Sequence, residues 1–102
     1  MSEYKTLLEF SRPEYVKELN ASRVQEQGLL KVWLQVRKEH SLVDIELSGY
    51  GQLGEAIGPL LNSERVIISR ELNSGKEFGT IKIECWVDDR CSEFICDAAA
   101  LI

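Results

Sequence analysis

The run Ser11-Arg12-Pro13-Glu14-Tyr15-Val16-Lys17-Glu18-Leu19-Asn20-Ala21-Ser22-Arg23-Val24 decides which fold class the rest of the chain is read into. Ser11 and Glu14 stand in the S-x-x-E order of a capping box, and Pro13 falls in a first turn where its missing N–H costs nothing. Tyr15, Val16, Leu19 and the stretch from Ala21 to Val24 follow as an apolar stripe, and Gly28 is a natural stop. This reading predicts a helix. Upstream, Tyr4, Leu7 and Leu8 fit a short helix or a strand equally well.

Downstream the period changes. Leu30, Val32, Leu34 and Val36 alternate with Lys31, Trp33, Gln35 and Arg37, which predicts a strand with one buried face. Lys38-Glu39-His40-Ser41 is a polar turn, and Val43, Ile45 and Leu47 alternating with Asp44, Glu46 and Ser48 complete a hairpin. Leu53, Ala56, Ile57, Leu60 and Leu61 return to helical spacing, weakened by Gly54, Gly58 and Pro59. Arg65 to Leu72 reads as a strand, Asn73-Ser74-Gly75-Lys76 as a turn, and Phe78 to Val87 as a second strand with Ile81, Ile83, Cys85 and Val87 inward. Asp88-Asp89-Arg90 breaks it. Ser92 then caps an expected last helix, with Phe94, Ile95, Ala98, Leu101 and Ile102 as its stripe. The expectation is a single α+β domain over residues 1–102, in the order α-β-β-α-β-β-α. Its antiparallel sheet of four or five strands would carry the helices on one face.

The chain has 102 residues, 17 acidic and 12 basic, for a formal net charge of −5. That length suffices for one core without a metal or disulfide staple. From Glu84 onward five acids face Arg90 alone, so nucleic acid is repelled from that end. No run approaches the ~20 apolar residues of a membrane span, and Met1-Ser2-Glu3-Tyr4-Lys5 lacks the layout of a signal peptide, so a cytoplasmic location is expected. Cys85, Cys91 and Cys96 form C-x5-C-x4-C, neither a zinc spacing nor an even disulfide framework, and are expected as reduced, partly buried thiols. A redox pair of Cys91 with Cys96 is the sharper alternative; on a helix their side chains would stand about 140° apart.

Chemistry-bearing groups are sparse, and neither a cofactor nor a metal is expected. His40 sits in a solvated turn. Asp44 and Glu46 share a strand face about 7 Å apart, where alternating acids usually only solvate the surface. Gly49-Tyr50-Gly51-Gln52-Leu53-Gly54 matches G-x-G-x-x-G, but the parallel crossover that a dinucleotide site needs is missing, so the glycines are read as a tight turn and a close helix-to-strand approach. More informative are two tryptophans on the polar sides of their strands. A shared face of Lys31, Trp33, Gln35, Arg37, Lys82, Glu84 and Trp86 would have the composition of a protein contact surface, for another protein or for a homodimer. The apolar C-terminus is expected to dock on its own core.

Pro13-Glu14-Tyr15, Leu30-Lys31-Val32-Trp33-Leu34-Gln35-Val36, Leu53-Gly54-Glu55 and the run from Gly75 through Gly79-Thr80-Ile81-Lys82-Ile83 resemble the later strands of a C2 domain, especially those of copines. The resemblance spans residues 5–87 and implies a partial C2-like interaction domain. Arg37-Lys38-Glu39-His40 stands where an Asp-x-Asp loop would hold calcium, so it implies no calcium site. The leading expectation is a small acidic, non-enzymatic protein-binding module: an inhibitor, an immunity protein or a secretion-chaperone-like adaptor. The competing expectation is a small enzyme or ligand-binding domain with a pocket near residues 49–54 and His40.

Overall fold

The computed structural model describes residues 3–24, 28–72 and 80–102. Along them run β1 (Glu3–Ser11), β2 (Tyr15–Arg23), β3 (Leu30–Lys38), β4 (Ser41–Gly49), α1 (Leu53–Asn62), β5 (Arg65–Leu72), β6 (Ile81–Val87), β7 (Arg90–Cys96) and β8 (Ala98–Leu101). The strands form two antiparallel four-stranded sheets, sheet I in the order β1-β5-β6-β7 and sheet II in the order β2-β3-β4-β8. Alternation explains why they face each other. Val32, Leu34, Val36, Ile45 and Leu47 from sheet II are wholly buried, as are Val66, Ile68, Ile81 and Ile83 from sheet I, in one continuous core. Leu53, Ala56 and Leu60 of α1 complete it, and α1 touches β2 of one sheet and β6 and β7 of the other.

The α+β order α-β-β-α-β-β-α is therefore overturned: the described residues hold one helix, and both terminal regions expected as helices are strands. The physical reason lies in two β-bulges. The pairing of β2 with β3 skips a register between Val16 and Glu18, so Lys17 is an extra residue on β2. Val16 and Leu19, opposite Val36 and Leu34, both point inward although three residues apart, and the bulge thus imitates helical spacing. The same device in β1, with Leu7 extra between Thr6 and Leu8, produces the ambiguous Tyr4, Leu7, Leu8 pattern.

The capping-box residues do interact, but they close a corner between sheets. The Glu14 N–H donates to the Ser11 carbonyl at 2.8 Å, and the Ser11 N–H donates to Glu14 Oε1 at 3.2 Å. At the other end of the chain Asp97 is a second corner, carrying β7 of sheet I into β8 of sheet II. Its N–H donates to Ser48 O at 3.0 Å, and its Oδ2 accepts the Tyr50 N–H at 3.2 Å. Phe94 and Ala99 therefore face the core from different sheets instead of lining one helix. The β3–β4 hairpin, α1 and β5 occur where the sequence puts them, as do inward Ile81, Ile83 and Cys85, whereas Val87, expected to face inward with them, is exposed at the end of β6. The turn read at Asn73-Ser74-Gly75-Lys76 and the strand opening at Phe78 lie outside the described residues.

Candidate functional site

The outward face of sheet II is built around one large side chain. Trp33, half-buried, stands opposite Asn20 on β2 and Glu46 on β4, and Ala100 lies beyond Glu46 on β8. One step along β3, Lys31 is flanked by Ser22 and Ser48; one step the other way, Gln35 is flanked by Glu18 and Asp44. Arg37 closes the column between Tyr15 and Leu42, both exposed. The neighbours of the indole are thus short or flexible, and charged groups rim it. Beside it the Oδ1 of Asp44 is buried and no donor among the described residues reaches it, a state it shares with Arg70 Nε and with Trp86 Nε1 on sheet I. An acceptor left in that state costs free energy until a donor arrives.

The second tryptophan does not share this face. Trp86 is on β6 of sheet I, and because both sheets turn their apolar sides to the common core, its outward side chain points away from Trp33. Lys82 and Glu84 go with it, so the expected seven-residue surface divides into Lys31, Trp33, Gln35 and Arg37 on one side of the sandwich and Lys82, Glu84 and Trp86 on the other. The sheet I face is laced by its own contacts. Lys82 Nζ lies 4.0 Å from the centre of the Tyr4 ring and 3.5 Å from Glu84. The Tyr4 hydroxyl donates to Glu71 at 3.1 Å, a bond that raises its pKa. Arg65, opposite Trp86, is held by Glu9 at 2.7 Å.

The cysteines are three free thiols. Burial pushes Cys85 up to about 11 and Cys96 up to about 12, and desolvation followed by the carboxylates of Glu84 and Glu93 raises Cys91. All three are protonated at neutral pH and poor nucleophiles. Cys91 lies opposite outward Trp86 and Cys96 opposite buried Ile81, so the two project from opposite sides of β7 and the redox pairing lacks the geometry it needs. Glu84, Cys91 and Glu93 bring ligand-type atoms within 4.8 Å of one another. The sequence reading missed this trio because it follows from Glu84 standing directly opposite Glu93. Lys82 offsets its charge, and the Cys91 thiol keeps its proton.

The glycine motif has packing explanations. A Cβ on Gly49 would meet the Asp97 backbone nitrogen at 2.9 Å, so glycine lets the second corner pass, and Gly51 adopts φ +67° in the turn. Gln52, at the start of α1, makes no side-chain cap; its Oε1 accepts the Ile95 N–H of β7 at 2.9 Å. Glu55 places a negative charge in the first turn, where a phosphate would have to sit. Two grooves occur elsewhere, one at the β1–β2 corner and one between the end of α1 and the β6–β7 hairpin; neither is lined by His40 or by residues 49–54.

No protein-family model matches the chain, and neither a curated protein nor a solved structure matches it. None of these comparisons supports the C2 resemblance.

Proposed function

We propose that this chain is a non-enzymatic protein-binding module whose contact surface is the outward face of sheet II, with Trp33 at its centre. The observation that carries this reading is the arrangement around the indole: a large aromatic side chain between Asn20 and Glu46, with Lys31 and Gln35 along its own strand, beside the unsatisfied Asp44 Oδ1. A partner supplying a donor to Asp44 recovers a hydrogen bond to a charged group. With a net charge of −5 on the chain, that partner is a basic protein presenting Arg or Lys at this point. An inhibitor, an immunity protein or a secretion-chaperone-like adaptor has this logic, and three reduced thiols suit a reducing compartment such as the cytoplasm.

The sheet edges support docking on the face over addition of a strand. Both long edge strands carry a bulge, at Leu7 and at Lys17; β8 spans four residues; and Gln52 engages an outward N–H of β7. This discourages strand-swapped or edge-paired homodimers. Capture from lysate with wild-type, Trp33→Ala and Glu71→Gln baits in parallel tests the reading. A basic protein retained by wild type and by Glu71→Gln, and lost from Trp33→Ala, is the expected result. Equal retention by all three baits contradicts it.

A further inference from the structure

The corner that carries β1 into β2 meets the tip of the β3–β4 hairpin, and together they frame an open groove of about 470 Å³ lined by Ser11, Arg12, Pro13, Glu14, Tyr15, Arg37, Lys38 and Glu39. Several of these groups are already committed to holding its walls. The Lys38 ammonium donates to the Glu9 carbonyl at 2.6 Å and lies 3.7 Å from Glu14, whose other oxygen accepts the Ser11 N–H. The Arg12 N–H is fixed to the Glu64 carbonyl at 3.1 Å. The Arg12 and Arg37 guanidiniums are left without an ion pair among the described residues, beside an exposed Tyr15 that stands opposite Arg37 in the ladder.

We propose that this notch binds a single carboxylate of a peptide segment. Guanidinium forks match the planar two-oxygen geometry of a carboxylate, and the Tyr15 hydroxyl adds a further donor. Charge selects among anions. Three cationic and two anionic side chains line the groove, leaving one positive charge, which a monoanion neutralises and a phosphate dianion overshoots. The Pro13 and Tyr15 rings give an apolar wall to the residue that bears the carboxylate. The site shares Arg37 and Tyr15 with the end of the sheet II face but uses neither Trp33 nor Asp44, so Trp33→Ala separates its failure from the failure of that reading.

The test follows the arginine Nε–Hε signals of the full chain by NMR at constant ionic strength and neutral pH. The probes are acetate, inorganic phosphate, a C-terminally amidated peptide with one internal Glu, and its Gln counterpart with a free C-terminus. Saturable shifts at Arg12 and Arg37 are expected with one of the peptides, binding about tenfold more tightly than acetate, and the peptide that binds tells a side-chain carboxylate from a terminal one. Arg37→Gln should weaken this binding about tenfold and Glu39→Gln strengthen it about twofold, while Arg23→Gln and Trp33→Ala leave it unchanged. Phosphate binding more tightly than either peptide, shifts that do not saturate, or an Arg23→Gln effect equal to that of Arg37→Gln would overturn the proposal.

Discussion

The two outward faces of the sandwich are built on the same strand alternation and differ in what their polar groups do. On sheet I, Tyr4, Glu71, Lys82, Glu84, Arg65 and Glu9 satisfy one another, and Lys82 retains only 20% side-chain exposure in the process. On sheet II, Trp33 stands between Asn20 and Glu46, with Ser22 and Ser48 one step along and Ala100 beyond Glu46, and Asp44 keeps a buried oxygen without a donor among the described residues. Both faces keep a buried atom without a partner among the described residues, Trp86 Nε1 on sheet I and Asp44 Oδ1 on sheet II, so what separates them is the lacing of charged side chains around Trp86 and the openness around Trp33. The lesson is that aromatic content alone does not set the proposed contact surface apart. Trp86 has the same half-burial as Trp33 and a different set of neighbours.

The inward faces offer the most severe test of this comparison, because there the two sheets should behave alike. Leu34→Ala in sheet II and Ile83→Ala in sheet I should each cost about 2–5 kcal/mol in urea unfolding, since both are wholly buried in one core. A small loss at one site alone would mean that the sheets do not share that core. Alkaline pH gives the next effect. Burial raises the folded pKa of Cys85 to about 11 and of Cys96 to about 12, above the thiol's ordinary 9.0, so the folded chain holds protons that the unfolded chain releases. Their contribution to stability is present below pH 9 and falls away as pH rises through the window toward 11 and 12. Thermal unfolding between pH 8 and 10.5 should show that decline, with a shallower slope in Cys96→Ala.

Smaller effects separate the outward faces themselves. Lys82→Ala removes a cation–π contact and an ion pair and should cost about 1 kcal/mol, whereas exposed Lys31→Ala should stay within about 0.5 kcal/mol. Equal losses would erase the distinction between a laced face and an open one. The β6–β7 turn provides the smallest change: Asp88 and Asp89 both adopt positive φ, 50° and 65°, where Asn-Gly is the favoured pair. Replacing them with Asn-Gly should raise the unfolding midpoint, by about 0.5–1 kcal/mol in stability.

Strand alternation made β3, β4 and the inward side of β6 readable from the residues, and the apolar run Val66-Ile67-Ile68 marked β5. The ends of the chain hid their structure for local reasons. Lys17 and Leu7 each insert one residue and turn period two into the spacing of a helix, and Asp97 interrupts a strand pair that the apolar stripe from Phe94 to Leu101 runs straight across. Ser11 and Glu14 make a capping-box bond at a corner instead of a helix start. The proposed contact residues on β3 are legible as the polar side of a strand. Their separation from Trp86, like the Arg12–Arg37 notch and the Glu84–Glu93 pair, depends on sheet membership and register, which no short window of sequence contains.

The central claim is that Trp33, and not Trp86, lies beneath a protein partner. Acrylamide quenching of Trp86→Phe, which leaves Trp33 as the sole reporter, and of Trp33→Phe, which leaves Trp86, compares the two faces in the presence and absence of the basic protein recovered by capture. The account predicts that the partner shifts Trp33 emission to the blue and shields it from quencher while Trp86 emission is unchanged. Protection of Trp86, or of neither ring, would contradict it.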